Sequence, residues 1–243
     1  MNMKIIITIL ITLISTITFA WLDGVSETAG GDLVNRIDST TLPLPGSDEF
    51  RYDDETYENA INWYADYMTG EWDGWGKKMT ATNYDTYIVE RITLSFQTYN
   101  GETTPPEGAD FDIALCNTLA GENKPDTDNC KWRETFDPPE FIEDYPEWSN
   151  FDYDVPDIIV NSEFWVLFLP GWGGEPIDPD PPFYFCIDEE NWYERSFGNI
   201  EGLYDWVPLD SLGLHAEFGV GTVGTGCMCI KPASLGEIKS LYK

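Results

Sequence analysis

The chain has 243 residues and a formal charge of −31, from 44 acidic against 13 basic side chains and a single histidine. That excess repels nucleic acid and anionic membranes, and leaves cation binding or a well-solvated surface as uses for the acids. An aromatic content of 15% argues against disorder despite the charge, and the length suits one domain with a full core, with or without short extensions.

Residues 1–20, MNMKIIITILITLISTITFA, have a basic start at Lys4, an uncharged Ile/Leu/Thr stretch and small residues at Thr18 and Ala20. This is the layout of a secretory signal peptide, and its apolar part is short for a membrane span. No later stretch is long and apolar enough to cross a bilayer as a helix. The expected mature chain starts near Trp21, is exported, and has no integral membrane span. Residues 21–48 read as a lead-in broken by Gly30-Gly31, Pro43 and Pro45, with an edge strand over Leu33–Ile37.

The domain proper is expected over 49–220. Glu49–Tyr67 sets Tyr52, Tyr57, Trp63 and Tyr67 among acids. Lys77–Thr82 and Ile88–Phe96 read as strands. In the second, Ile88, Glu90, Ile92, Leu94 and Phe96 share a side that, apart from Glu90, is the expected inward apolar face. Asp110–Cys116 follows, with Phe111, Ile113 and Leu115 on one face. Gly121–Asn129 is a polar connection and Cys130–Phe136 returns. Phe151–Val155 and Ile158–Val160 lead into EFWVLFL, Glu163–Leu169, the most apolar run after the N-terminus. Short, aromatic, branched and closed by Pro170-Gly171, it predicts a strand buried on both faces. A helix of that length barely nucleates.

Pro170–Pro182 cannot be a sheet interior. Phe183–Ile187, Trp192–Phe197 and Leu203–Val207 read as further strands. In Leu212–Val220, Leu212, Leu214, Ala216, Phe218 and Val220 alternate with Gly213, His215, Glu217 and Gly219, which places His215 and Glu217 outward. Residues 221–243 read as a flexible Gly-rich linker and a short helix, whose Ser234…Glu237 spacing is that of a capping box. The sum is an all-β, jelly-roll-like β-sandwich with a short C-terminal helix.

Five cysteines follow the leader, and export permits disulfides. Cys116 ends one strand and Cys130 begins the next, so a bridge is expected there. It would close a loop of about 15 residues, for roughly 3 kcal/mol. Cys227 and Cys229 are too close to pair with each other. One of them meeting Cys186 leaves a thiol over, and a metal site on the pair lacks a second close pair of ligands.

The order YDDETYENAINWY, TLSFQTYNGETTPP, FDIAL, EFWVLFLPG and FYFCID…WYERSFG, closed by a final alternating strand, resembles a jelly-roll module of secreted proteins from uncultured bacteria. Those proteins often carry a C-terminal type IX sorting domain. The modules usually have Gly after the second Asp, where this chain has Asp54-Glu55. The tail SLGEIKSLYK is similar to short C-terminal segments of the form S-W-G-x-I-K-x-L-Y, with Leu235 in place of Trp. The resemblance implies a binding or structural module at the cell surface.

One histidine on the polar side of its strand leaves no oriented imidazole for a nucleophilic triad, and excludes a zinc centre of histidines. No Gly-rich phosphate loop precedes a helix. Paired carboxylates keep a glycoside hydrolase open as the third reading. Hard cations take carboxylate oxygens, so Asp53, Asp54 and Glu55 at one turn and Asp178 and Asp180 at another are the candidate Ca²⁺ ligands. Trp72, Trp75, Trp172, Trp192 and Tyr193 fall in or beside expected loops and are the candidate sugar-stacking residues. The leading expectation is a non-catalytic surface module that binds an extracellular glycan or surface protein. The alternative is a self-associating subunit of an extracellular fibre or surface layer.

Overall fold

The computed structural model describes residues 25–27, 48–53, 55–63, 70–81, 84–99, 101–171, 182–190, 193–200 and 203–227. They form β1 (Val25–Glu27), β2 (Asp48–Arg51), β3 (Asn59–Trp63), β4 (Gly74–Thr80), β5 (Thr86–Gln97), β6 (Phe111–Asn117), β7 (Trp132–Phe136), β8 (Ser149–Asn161), β9 (Glu163–Pro170), β10 (Tyr184–Asp188), β11 (Ser196–Ile200), β12 (Tyr204–Pro208), β13 (Glu217–Phe218) and β14 (Val220–Cys227). Two 3-10 turns, Thr127–Asn129 and Leu209–Leu212, are the helical elements of the described residues. The C-terminal helix and the Leu33–Ile37 strand expected from sequence lie outside them.

Two antiparallel sheets pack as a sandwich. One has eight strands in the order β1-β3-β10-β5-β14-β2, with β8 along β5 and β13 on β10. The other has six, β12-β11-β4-β9-β6-β7. Aromatic rings fill the space between them. Phe96 lies 4.9 Å from Phe183 and 5.3 Å from Phe168, and Phe185 stacks on Phe218 at 4.7 Å. Full burial of each such side chain contributes about 1.5–3 kcal/mol.

The central apolar run is β9, buried on both faces. Phe164, Val166 and Phe168 enter the core between the sheets. Trp165, Leu167 and Leu169 form a second apolar cluster on the outer face with Phe197 and Trp206. The Trp206 indole folds over Gly76, where a Cβ would stand 2.7 Å from the ring, so glycine is what admits it.

Four local expectations are corrected. A bulge between Val89 and Arg91 switches the inward parity of β5, so Tyr87 and Val89, not Ile88 and Glu90, join Ile92, Leu94 and Phe96 in the core. The supposed flexible linker after residue 220 is β14, hydrogen-bonded between β5 and β2. Its glycines answer to crowding: a Cβ on Gly224 would fall 1.9 Å from the Ile88 carbonyl oxygen. The chain turns from β10 to β5 at Gly219, whose N–H donates to Cys186 O at 3.0 Å and whose carbonyl accepts from Ser95 N at 2.9 Å. That switch puts Glu217 inside the sandwich rather than on its surface, while His215 is exposed as expected, against Asp210 at 2.7 Å. Finally, Cys186 is a buried free thiol, whereas Cys116 and Cys130 form the expected disulfide.

Candidate functional site

The most chemically furnished part of the described surface is the end of the six-stranded sheet where β4 finishes at Thr80. β11 pairs with β4 so that Ser196 opposes Lys77, and Lys78 N donates to Arg195 O at 2.8 Å. Strand alternation then sends Lys77 inward and Lys78 and Thr80 outward. Tyr52, just after β2, is tied to this end twice. Its hydroxyl donates to Thr80 O at 3.0 Å and accepts from Thr80 N at 3.1 Å. The Arg195 guanidinium lies over the Tyr52 ring, 4.2 Å from its centroid, and donates through Nη1 to Thr80 Oγ1 at 2.7 Å. Tyr193 meets the same ring edge-on at 6.2 Å and is 56% exposed.

Beneath this ledge lies a buried ion pair. Lys77 Nζ stands 3.2 Å from Glu217 Oε2, both side chains fully buried, and it also donates to Phe218 O at 2.7 Å. Glu217 Oε1 accepts the N–H groups of Tyr193 and Arg195, each at 2.9 Å, and Oε2 accepts the Ser196 hydroxyl at 2.7 Å. Burying two ions costs several kcal/mol each, which good geometry and dense hydrogen bonding offset. The consequence is positional: the carboxylate fixes the backbone that presents Tyr193 and Arg195.

Beside the ledge is an open polar cleft of about 650 Å³, lined by Lys78, Asn161, Ser162, Glu163 and the connection through Asn123. Lys78 Nζ stands 3.2 Å from Glu163 and donates to Asn123 Oδ1 at 3.1 Å. The connection is closed at its base by the Cys116–Cys130 disulfide and braced by Leu119 N donating to Lys124 O at 2.9 Å. The cleft adjoins the ledge through β4 and β9: Lys78 stands two residues before Thr80, and Glu163 pairs opposite Thr80. Amides, a carboxylate, an ammonium and a hydroxyl beside an exposed ring form a surface suited to hydroxyl-rich ligands.

Of the described residues singled out from sequence, Tyr193 alone stands at this end. Trp75 is corrected from a ligand-stacking residue to a core residue: it is fully buried and donates through Nε1 to Asn62 Oδ1 at 3.2 Å. Strand alternation in β4, which begins earlier than expected, sends it inward. Trp72 is half-buried at the opposite end of β4, beneath the Arg133 guanidinium at 4.7 Å. Trp172, Trp192, Asp54, Asp178 and Asp180 lie outside the described residues. Asp53 is buried, and its Oδ1 accepts from Arg51 Nε at 3.1 Å and from the Tyr57 hydroxyl at 2.9 Å, so a guanidinium balances its charge. Glu55 stands 3.7 Å from the same arginine. Among the described residues no group of three His, Cys, Asp or Glu side chains is placed to hold a metal ion. Burial, and then the Asp53 charge, push the Cys186 thiol well above its ordinary range, which keeps it a neutral, inert group.

Sequence reasoning missed Tyr52, Lys77, Arg195 and Glu217. Lys77 and Glu217 look like solvated charges on alternating strands, and only the crossing of two sheets brings them together. Arg195 had a weak signal, as a base in a base-poor chain.

No protein-family model matches this chain, and no curated protein matches it. Among solved structures, the crystal structure of the cysteine protease and lectin-like domains of Cwp84, a surface layer associated protein of Clostridium difficile, superposes with a TM-score of 0.48 at 8% identity, covering 79% of this chain and 38% of that one.

Proposed function

We propose that the chain is a secreted, non-catalytic β-sandwich module that binds glycans at the Thr80 end of its six-stranded sheet. The observation that carries this reading is the pairing of an exposed ring, Tyr193, backed by Tyr52 and Arg195, with a contiguous polar cleft. A sugar presents an apolar C–H face to stack on a ring and hydroxyls that need directed donors and acceptors. Export is supported by the leader-like residues 1–20 and by the Cys116–Cys130 disulfide, a bond that persists in oxidising compartments. Among the described residues no helix is long and apolar enough to cross a membrane.

The non-catalytic part rests on the cleft's carboxylates. Glu163 is engaged by Lys78 at 3.2 Å and Glu122 by Lys124 at 3.0 Å, whereas glycoside hydrolysis asks for two carboxyls set to flank one glycosidic bond. A glycan array probed with wild type and Tyr193→Ala tests the reading. Binding that falls at least about 10-fold in the variant supports it. Release of reducing sugar from a bound glycan would replace it with the hydrolase reading.

The second reading is a subunit of an extracellular assembly. One feature favours it: among the described residues β8 pairs with β5 alone, leaving an edge with Ile159 60% exposed. Asp152, Asp154, Pro156 and Asp157 on that strand blunt such an edge. An array without ligands, together with self-association by light scattering, would select this alternative.

A further inference from the structure

We infer that the glycan taken by this site carries an acidic group, a carboxylate or sulfate, and that Arg195 is the residue that reads it; this rests on the glycan-binding reading above. Seven of the described basic or imidazole side chains stand within 4 Å of a carboxylate: Arg51, Lys77, Lys78, Arg91, Lys124, Arg133 and His215. In a chain with 44 acids and 13 bases that is the ordinary outcome. Lys131, exposed on the surface, departs from it, and so does the half-buried Arg195. Its partners among the described residues are neutral: Thr80 Oγ1 at 2.7 Å, the Lys78 carbonyl at 3.5 Å and the Tyr52 face at 4.2 Å.

These contacts use Nη1 and leave Nε and Nη2 without a bonded partner among the described residues. Nε–H and the adjacent Nη2–H form the edge of guanidinium that meets two oxygens of one anion side by side. The group is half-buried, and its plane is held by the ring beneath it. Its backbone N–H is fixed by Glu217 Oε1, as is that of Tyr193 two residues before it. A sugar ring on Tyr193 therefore places a ring substituent near a pre-oriented, uncompensated fork. The global charge of −31 does not oppose this at close range, because repulsion between exposed charges is screened over about 8 Å at physiological ionic strength.

The test uses short oligosaccharides at physiological ionic strength. One arm holds galacturonate, glucuronate, mannuronate and guluronate trimers, each paired with its carboxyl-reduced counterpart. A second holds sulfated galactose trimers paired with the desulfated sugar. Wild type, Arg195→Gln, Arg195→Lys and Tyr193→Ala are titrated calorimetrically. The expected result is at least one acidic member bound about 10-fold or more tightly than its neutral counterpart. Arg195→Gln abolishes that preference by weakening the acidic member far more than its neutral counterpart. Arg195→Lys keeps the charge, tolerates the same burial and retains only part of the preference, while Tyr193→Ala weakens both members. Preference in the first arm alone identifies a uronic acid, and in the second alone a sulfate. Neutral sugars bound as well as acidic ones, with Arg195→Gln silent, would overturn the assignment and leave glycan binding standing. No binding to any sugar, acidic or neutral, would overturn both.

Discussion

The two ends of β4 carry the same small motif with different outcomes. At the Gly74 end the Arg133 guanidinium stacks on Trp72 at 4.7 Å, and at the Thr80 end Arg195 stacks on Tyr52 at 4.2 Å. Arg133 is spent: its Nε donates to Asp112 at 2.6 Å and its Nη1 to Glu71 at 3.2 Å. Arg195 has only neutral partners among the described residues and sits over a backbone pinned by the Lys77–Glu217 pair. A cation over a ring is thus a packing device in one place and, in the proposed glycan-binding reading, a receptor in the other. What separates them is where the carboxylates went.

The largest effect should come from the pair beneath the Thr80 end. Glu217→Ala leaves Lys77 buried without its carboxylate partner, and leaves two backbone amides and the Ser196 hydroxyl without their acceptor. A loss of about 3–5 kcal/mol in urea unfolding is expected. The double variant Lys77→Met/Glu217→Leu should recover most of that stability and still bind glycan poorly, because an apolar pair packs but does not hold the Tyr193–Arg195 backbone. A double variant that binds like wild type would reduce the ion pair to a packing element and erase this difference between the two ends.

Next in size is the bridge under the cleft. Cys116→Ala/Cys130→Ala opens a span with sequence separation 14, at a cost of about 3 kcal/mol in the chain-entropy model. Proteolysis should then nick the Thr118–Asn123 connection before it touches the Trp72 end. Simultaneous cleavage at both ends would mean that the disulfide acts on the whole sandwich rather than on the cleft.

How far the residues alone lead depends on how local the cause is. The sandwich, the doubly buried β9 and the Cys116–Cys130 bridge each rest on a pattern within one short stretch: an apolar run closed by Pro-Gly, or a cysteine at each end of a hairpin. Failures came where one residue shifts a register or two distant strands cross. A bulge after Val89 reverses which side chains of β5 face inward, and no composition rule marks it. Glycines between Val220 and Cys227 read as flexibility, yet they answer to Ile88 on another strand. The ledge is legible only through Tyr193. Tyr52 arrives from β2, Arg195 from the approach to β11 and Glu217 from β13, and their meeting at Thr80 is a property of topology.

A smaller effect compares the two arginines directly. Arg133→Gln removes a part-exposed ion-pair cluster and a cation–ring contact, together about 1 kcal/mol of stability, and should not change glycan affinity. Arg195→Gln loses its own ring contact and the Thr80 hydrogen bond, again about 1 kcal/mol of stability, and should in addition lose the acidic-sugar preference. Equal behaviour of the two variants in both measurements would collapse the distinction between a spent and an unspent guanidinium.

The last effect is a control on both ends together. Burial, then the Asp53 charge, hold the Tyr57 phenol well above its ordinary value, and burial alone raises Tyr153. A raised folded value means that the native state keeps a proton the unfolded chain releases near pH ~10. These two groups therefore contribute stability that is fully present below that pH and is lost as pH rises beyond it. Neither belongs to the β4 ends. Urea midpoints for wild type, Arg133→Gln and Arg195→Gln should stay flat in this contribution from pH 7 to 9 and then fall in parallel above about pH 10. A fall confined to one variant would place the alkaline-sensitive group at that variant's end of β4, against the burial seen for Tyr57 and Tyr153.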